Sequence, residues 1–507
     1  MKTSHPKTII SLLLIAFSIS FLQAQNAGKG IGEFREATSC PFPLPENVIL
    51  GENFKFGYVT VPELHADPEG KTIELAVAIF PSTSENHAPD PLVMNTAGPG
   101  KSNMDNFIPQ IAGGLGNYIL PQRDIVIIEL RGLRYSKPFL MCSEISEAKQ
   151  SVMGKNLSPQ ETMAVLMKAN KAVKKRFDRM GVNLSAYNNV ETAADIAMVM
   201  SHLGYEQFNL AGSSAGTIVA HHVIRDYPER VRCAVLDAGL PIDPNIIFSY
   251  VSSIVDCLKN YFEECRNDPN CNAAYPDQEE RFLQLLKKLN KEPEMLTLVH
   301  PKTEQEVSYA LNGYRLAENL FLNMFYSTQI PYQIGQFLDG DYSSLIGGLT
   351  YSLMPSYFAD GLGLTVFISE AGEYSMDDFK SDPKYKIFED GVSISGMGAE
   401  YFMEVNKIWK IDKLERSRIN YPKQLDVPTL VLNGKYDPVI PVRFDEVMKR
   451  DLKNCYIYRF DGVPHSAFDN ATPCVLPMLL QFLADPSQAP DSSCMQNYKQ
   501  VYQTTGQ

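Results

Sequence analysis

Phe208-Asn209-Leu210-Ala211-Gly212-Ser213-Ser214-Ala215-Gly216-Thr217 passes from a short apolar run, through a glycine-flanked serine, into the helix-like segment 217–226. A strand that turns sharply into a helix needs small residues on both sides of its apex, and Gly212 and Gly216 supply them. The apex residue, Ser214, is then held with its hydroxyl at the start of a helix. The Ala215 amide points to where a developing oxyanion would sit. Ser214 is therefore the expected nucleophile and Ala215 N–H the first oxyanion donor.

Outward from this turn, strand-like runs recur near 54–61, 72–80, 91–95, 124–130, 231–237, 428–434 and 455–461. Asp124-Ile-Val-Ile-Ile-Glu-Leu130 is apolar without alternation, as strands buried on both faces of a parallel sheet are. Helical spacing appears over 191–203, 217–226, 443–452 and 473–483, so strand and helix alternate at both ends of the chain. Between about Pro241 and Tyr421 the alternation stops. Helical patterns such as 281–290 and 314–325 replace it, rich in Tyr, Phe and Met. The expected architecture is α/β, a mostly parallel sheet with helices on both faces and a large, mostly helical lid over the crevice at the strands' carboxyl ends. The boundaries read as a leader over 1–24, a first core segment over 25–240, the lid over 241–421 and a second core segment over 422–507.

A nucleophilic serine needs a base and an acid. His465, in Gly462-Val-Pro-His-Ser466, follows the last strand. His221 and His222 fall inside the helix after the serine, and His300 lies in a polar part of the lid, so His465 is the expected base. Asp437 follows the penultimate strand and would fix the imidazole tautomer and stabilise the imidazolium. A rival acid, Asp237, ends the strand after the nucleophile, in a context that reads as structural. The second oxyanion donor is expected from Thr96-Ala-Gly-Pro-Gly100, with Gly98 N–H the choice.

Composition narrows the class. The chain has 507 residues, 44% of them hydrophobic and 21% charged, with 46 Lys+Arg against 59 Asp+Glu for a net charge of −13. This is globular and not disordered or collagen-like, and a chain this acidic, with no Lys/Arg run, is a poor candidate for holding nucleic acid by its phosphates. Lys2, His5 and Lys7 precede the apolar run 9–22, which reads as a signal peptide cut near Ala24. A secreted or periplasmic product follows, with no stable membrane insertion after cleavage; oligomeric state has no signature. Export makes the nine cysteines readable as disulfides. Cys265 with Cys271, Cys474 with Cys494, and Cys40 with Cys142 are the expected pairs, while Cys233 and Cys455 read as thiols and Cys257 is unassigned. There is no CxxC and no HxxxH, so no metal site is expected.

These residues resemble a family, the serine α/β-hydrolases that include proline iminopeptidases and secreted tripeptidyl aminopeptidases. The resemblance lies in Ala97-Gly-Pro-Gly100, in Arg123–Ser136, in Gly212-Ser-Ser-Ala-Gly-Thr217, in Tyr227-Pro-Glu-Arg-Val-Arg232 and in the Cys474…Cys494 block. Departures are Ala97, Glu129, Arg134, Ala215 and Ile368, where the family carries Gly, Asp, Gly, Tyr and Cys. The resemblance implies an α/β-hydrolase fold and a serine exopeptidase acting on short peptides with free N-termini, with no cofactor. It places Glu370 nearest the bound α-amine, with Asp360 and Glu373 as neighbours. A carboxylesterase or lipase-type hydrolase using the same three residues is the alternative.

Overall fold

The computed structural model describes residues 30–95, 98–243, 246–372, 398–419 and 424–504. The leader at 1–24, Thr96, Ala97 and Glu373 lie outside the described residues.

The strands, in chain order, are β1 (Phe34–Glu36), β2 (Lys55–Pro62), β3 (Thr72–Phe80), β4 (Leu92–Asn95), β5 (Ile125–Ile128), β6 (Phe208–Ser213), β7 (Val231–Asp237), β8 (Glu294–Val299), β9 (Glu306–Leu311), β10 (Thr429–Gly434) and β11 (Cys455–Phe460). Among the described residues nine of them form one sheet in the order β1-β2-β3-β5-β4-β6-β7-β10-β11. From β5 to β11 every neighbouring pair is parallel, and β1, β2 and β3 extend the sheet antiparallel.

Side-chain alternation assigns the two faces. Leu92, Met94, Ile125, Ile127, Val235 and Leu430 point to one face, covered by Phe107 and Ile108 of helix Asn103–Gln110 and by Met478 and Phe482 of helix Thr472–Ala484. Val93, Val126, Ile128, Leu210, Ala234 and Val431 point to the other, covered by helices Asn189–His202, Ala215–Asp226 and Val442–Asp451. Every residue of β4, β5 and β10 is buried. Each large apolar side chain so placed contributes roughly 1.5–3 kcal/mol. The expected strands and flanking helices therefore stand where the sequence reading put them. Edge strand β1 is an addition, too short and polar to carry a pattern.

β7 and β10 pair directly, Ala234 beside Thr429 and Asp237 beside Leu432, although about 190 residues of chain separate them. Among its described residues that intervening chain carries helices and one hairpin, β8–β9, which stands apart from the main sheet. Helix Pro159–Arg179, from the first core segment, packs with the inserted helices. Phe177 meets Trp409 edge-on at 5.8 Å between ring centroids, and the Trp409 indole N–H donates to Asn170 O at 3.3 Å. The cap over the sheet is thus drawn from both sides of β6.

Two disulfides form as expected, Cys265–Cys271 and Cys474–Cys494. The third expected pair does not. Cys142 is a buried thiol in the cluster formed with the inserted helices, and Cys40 packs against a different cluster, the one on the Leu92–Ile125 face of the sheet. Cys233, Cys257 and Cys455 are also free thiols. Among the described residues no helix is long and apolar enough to cross a membrane.

Candidate active site

Ser214 sits at the apex between β6 and helix Ala215–Asp226 with φ 52° and ψ −123°. A non-glycine residue held there costs on the order of 1–3 kcal/mol and persists only where its surroundings impose it. They do so here: Ser214 N–H donates to Asp237 O at 2.8 Å, and Ser214 O accepts from Thr217 N–H at 2.8 Å and from Thr217 Oγ1 at 2.5 Å. Gly212 has no room for a side chain, since a Cβ would lie 2.8 Å from Gly216 O. The spacing of the two glycines around the serine is therefore a steric requirement of the turn.

Asp437 and His465 come from the loops after β10 and β11. His465 Nδ1 lies 2.7 Å from Asp437 Oδ2. The other carboxylate oxygen, Oδ1, accepts the N–H groups of Val439 at 2.9 Å and Ile440 at 3.1 Å, so the acid's orientation is fixed by its own turn. Burial pulls the His465 imidazole down, and the Asp437 charge and hydrogen bond outweigh it, helped by Asp237 and Asp469, leaving its pKa above the ordinary value. The rival acid, Asp237, has no hydrogen bond to the imidazole; it binds Ser213, Ser466 and Phe468 instead.

Ser214, Ala215 and Gly98 line one cavity of about 430 Å³. So does Phe325, whose ring stands edge-on to His465 at 4.9 Å between centroids, tying the imidazole to the same space. Gly98 takes φ +65°, and its carbonyl closes a turn on Lys101 N–H at 3.1 Å. The inserted segment rests on this turn. Ala359 N–H donates to Gly100 O at 2.8 Å, and a Cβ on Gly100 would lie 2.6 Å from the Phe358 ring. Below the turn, Glu129 is fully buried and accepts Met104 N–H at 3.2 Å; burial pushes its carboxyl up to about 7 against hydrogen bonds from Ser102, Met104 and Tyr135.

Glu370 requires a correction. It ends helix Asp360–Glu370 with 1% exposure, and it does not line the cavity. Its Oε1 accepts from Asn189 Nδ2 at 2.6 Å and lies 3.0 Å from His222 Nε2. A carboxylate sealed between two other side chains is out of reach of a substrate amine in the crevice. His221 and His222 are buried in the helix that follows Ser214, with His221 pushed down to about 3 by burial and by His222. His300 caps its own hairpin turn by accepting Lys302 and Thr303 N–H groups.

The acids that do reach the cavity include Asp360 and Glu318. Both also line a second, larger chamber of about 620 Å³, together with Lys149, Leu322 and Phe358, so the two spaces share a wall. Asp360 makes no ion pair among the described residues, and its carboxyl is pushed up by burial, with Lys149 opposing. Glu318 escaped sequence reasoning because an acid on a helix pattern reads as solvated surface. Its position in Gly313–Met324, one turn before Leu322, was the available signal.

A chain with this geometry can be compared with known proteins. It is 26% identical over 266 residues to the serine protease Hip1 of Mycobacterium tuberculosis, covering 49% of this chain and 48% of that protein. It is 28% identical over 194 residues to the tripeptidyl aminopeptidase of Streptomyces lividans, covering 37% and 36%, and 28% identical over 222 residues to carboxylesterase B of M. tuberculosis, covering 42% of each. The matches span about half or less of those relatives' length. Among solved structures, the proline iminopeptidase of Mycobacterium smegmatis aligns over 85% of this chain and 98% of its own at 13% identity and a TM-score of 0.39. The family model for the alpha/beta hydrolase fold matches residues 90–472, most of the chain, and the protein belongs to that family.

Proposed function

We propose that the protein is an exported serine peptidase that removes residues from the free N-terminus of short peptides through an acyl-enzyme. The observation that carries this reading is the 2.7 Å His465–Asp437 hydrogen bond standing at the cavity that Ser214 lines. Asp437 holds the proton on His465 Nδ1, which leaves Nε2 to take the proton from Ser214 Oγ as it attacks the substrate carbonyl carbon. Ala215 and Gly98 N–H groups receive the oxyanion. As the tetrahedral intermediate collapses, the C–N bond breaks and His465 returns the proton to the departing amine. Water, deprotonated by the same imidazole, then releases the acyl group and restores Ser214.

The free-amine requirement draws support from Asp360. A carboxylate in a partly desolvated wall, without an ion-pair partner among the described residues, is suited to an ammonium group. The second chamber beyond that wall supports substrates longer than a dipeptide. The relatives named serine protease and tripeptidyl aminopeptidase agree with this reading, and the apolar leader at 1–24 supports export. The alternative, an esterase, draws on the apolar part of the cavity wall, where Leu322, Phe367, Phe402 and Phe444 would suit an acyl chain.

Paired kinetics separate the two. Free Pro-, Ala- and Ala-Ala-Pro-anilides are compared with their N-acetylated forms and with p-nitrophenyl butyrate, with Ser214→Ala as the blank. Turnover of a free-amine anilide that acetylation abolishes establishes the aminopeptidase. Turnover of the ester alone sinks it.

A further inference from the structure

Asp237 ends β7, one strand over from the nucleophile, with 6% of its surface exposed. Its Oδ2 accepts the Ser213 hydroxyl at 3.1 Å and the Ser466 hydroxyl at 2.6 Å, while Oδ1 accepts Phe468 N–H at 3.1 Å. Its main-chain carbonyl accepts Ser214 N–H at 2.8 Å. The residue before Ser214 and the residue after His465 therefore hang on a single carboxylate oxygen. Ser466 is held at φ +67°, a conformation that a non-glycine residue adopts only under constraint. Its hydroxyl also accepts Asp469 N–H at 3.1 Å, and Asn470 Nδ2 donates to His465 O at 2.9 Å, so the whole turn carrying the base is pinned from this side.

We propose that Asp237 is a positioning residue for the reaction: by holding Ser213 and Ser466 on one carboxylate it sets Ser214 against His465. Its charge also favours the protonated form of His465. The inference rests on the reading of Ser214 as nucleophile and His465 as base.

Mere packing does not account for this arrangement. Burying a carboxylate is costly unless its hydrogen bonds are used, and here they go to the two loops that carry the reacting groups. The groups facing Asp237 are Ser213, Ser466, Phe468 N–H, His465 and Asp469; those facing His465 are Asp437, Asp237, Asp469 and the Phe325 ring. Burial raises the Asp237 carboxyl to about 6 against the Ser466 and Phe468 hydrogen bonds. A misplacement of about 1 Å between nucleophile and base reduces turnover by up to about 100-fold.

The test compares Asp237→Asn, Asp237→Glu and Ser466→Ala with the parent enzyme. The readouts are kcat and KM on the substrate that the paired kinetics identify, the pH profile of kcat/KM, the rate of fluorophosphonate labelling and Tm. Asp237→Asn is expected to reduce kcat by about 10- to 100-fold, leave KM within about twofold, slow labelling and move the acid limb to lower pH. Asp237→Glu keeps the charge, so it should lose kcat with the limb unmoved, and Ser466→Ala should lose part of kcat. An Asp237→Asn enzyme with parental kcat and limb overturns the proposal. So does a loss explained wholly by a smaller active fraction, with the limb in place. If Asp237→Asn abolishes activity while Asp437→Asn retains it, Asp237 is the acid of the relay and the positioning role is wrong. Ser214→Ala and His465→Ala serve as controls, since labelling that survives them sinks the triad reading itself.

Discussion

His222 Nε2 and Glu370 Oε1 stand 3.0 Å apart, both side chains shut away from solvent, and join the helix behind Ser214 to the helix that ends the segment lying on the Gly98–Lys101 turn. The second oxygen, Glu370 Oε2, is buried without a hydrogen-bond partner, so the pair holds its place by packing as much as by polarity. Removing one partner leaves buried polar atoms of the other and of Asn189 unsatisfied, at about 1–3 kcal/mol each. Glu370→Ala is therefore expected to lower Tm clearly, and Glu370→Gln, which still offers an oxygen to Asn189, to lower it less. KM for a free-amine anilide should stay within about twofold in Glu370→Gln, as Glu370 is outside the crevice wall. A tenfold rise in KM without a change in Tm would return Glu370 to the role of amine anchor.

Asp360 is the acid from which that effect on KM is expected. Asp360→Asn should raise KM for free-amine peptides about 10- to 100-fold, the loss of one charge-assisted hydrogen bond of about 1.5–3 kcal/mol, and leave an ester substrate unaffected. Because burial raises its carboxyl, the ammonium contact is present above that raised pKa and lost as pH falls through it. The fall begins at a higher pH than it would for an exposed aspartate. Measuring KM from pH 4 to 8 for a free-amine anilide and an ester together isolates this effect.

The rate profile should carry the mark of Asp437. His465 acts as a base only when neutral, and its pKa is raised, so the acid limb of kcat/KM should fall above pH 6.5, the ordinary value for histidine. Asp437→Asn should lower kcat by about 10⁴-fold, as loss of the correct tautomer does in other serine hydrolases. A limb at or below the ordinary value in the parent enzyme would contradict the Asp437–His465 assignment.

Glu129 supplies a stability signature. Its carboxyl is raised from 4.5 to about 7, so the folded state holds that proton more tightly than the unfolded chain does. The associated stability is fully present below pH 4.5 and is lost as pH rises to 7, on the order of 3 kcal/mol from the usual 1.36 kcal/mol per pKa unit. Glu129→Gln stays neutral throughout. The Tm difference between variant and parent should therefore move in the variant's favour from pH 4.5 to 8, and a difference independent of pH would refute the assignment.

What the sequence revealed and what it concealed follow from the same physics. β4 to β7 and β10 were legible because strands in the middle of a parallel sheet carry little besides apolar residues. The Ser214 turn was legible because its glycines answer a steric demand, and Asp437 and His465 because each follows its strand directly. Glu370 was misplaced because an acid's letter says nothing of what will cover it, and here Asn189 and His222 do. Cys40 and Cys142 failed as a pair for a related reason. Parity suggests bridges, but only the fold assigns the two thiols to different packing clusters. Hairpin β8–β9 was hidden within a helical stretch, with exposed residues at Glu294, Met295 and Thr297 and few buried ones to show alternation.

The direct pairing of β7 with β10 has a consequence for the order in which the molecule is made. A ribosome finishes the nucleophile turn at Gly216 long before it reaches Asp437 and His465, and the edge of β7 has no partner until β10 emerges. If Ser214, Asp437 and His465 act as proposed, a growing chain carries the serine before its base and acid, and a product truncated before residue 465 is expected to be inert. On the reading of Ser214, Asp437 and His465 proposed above, topology separates synthesis from catalysis in time.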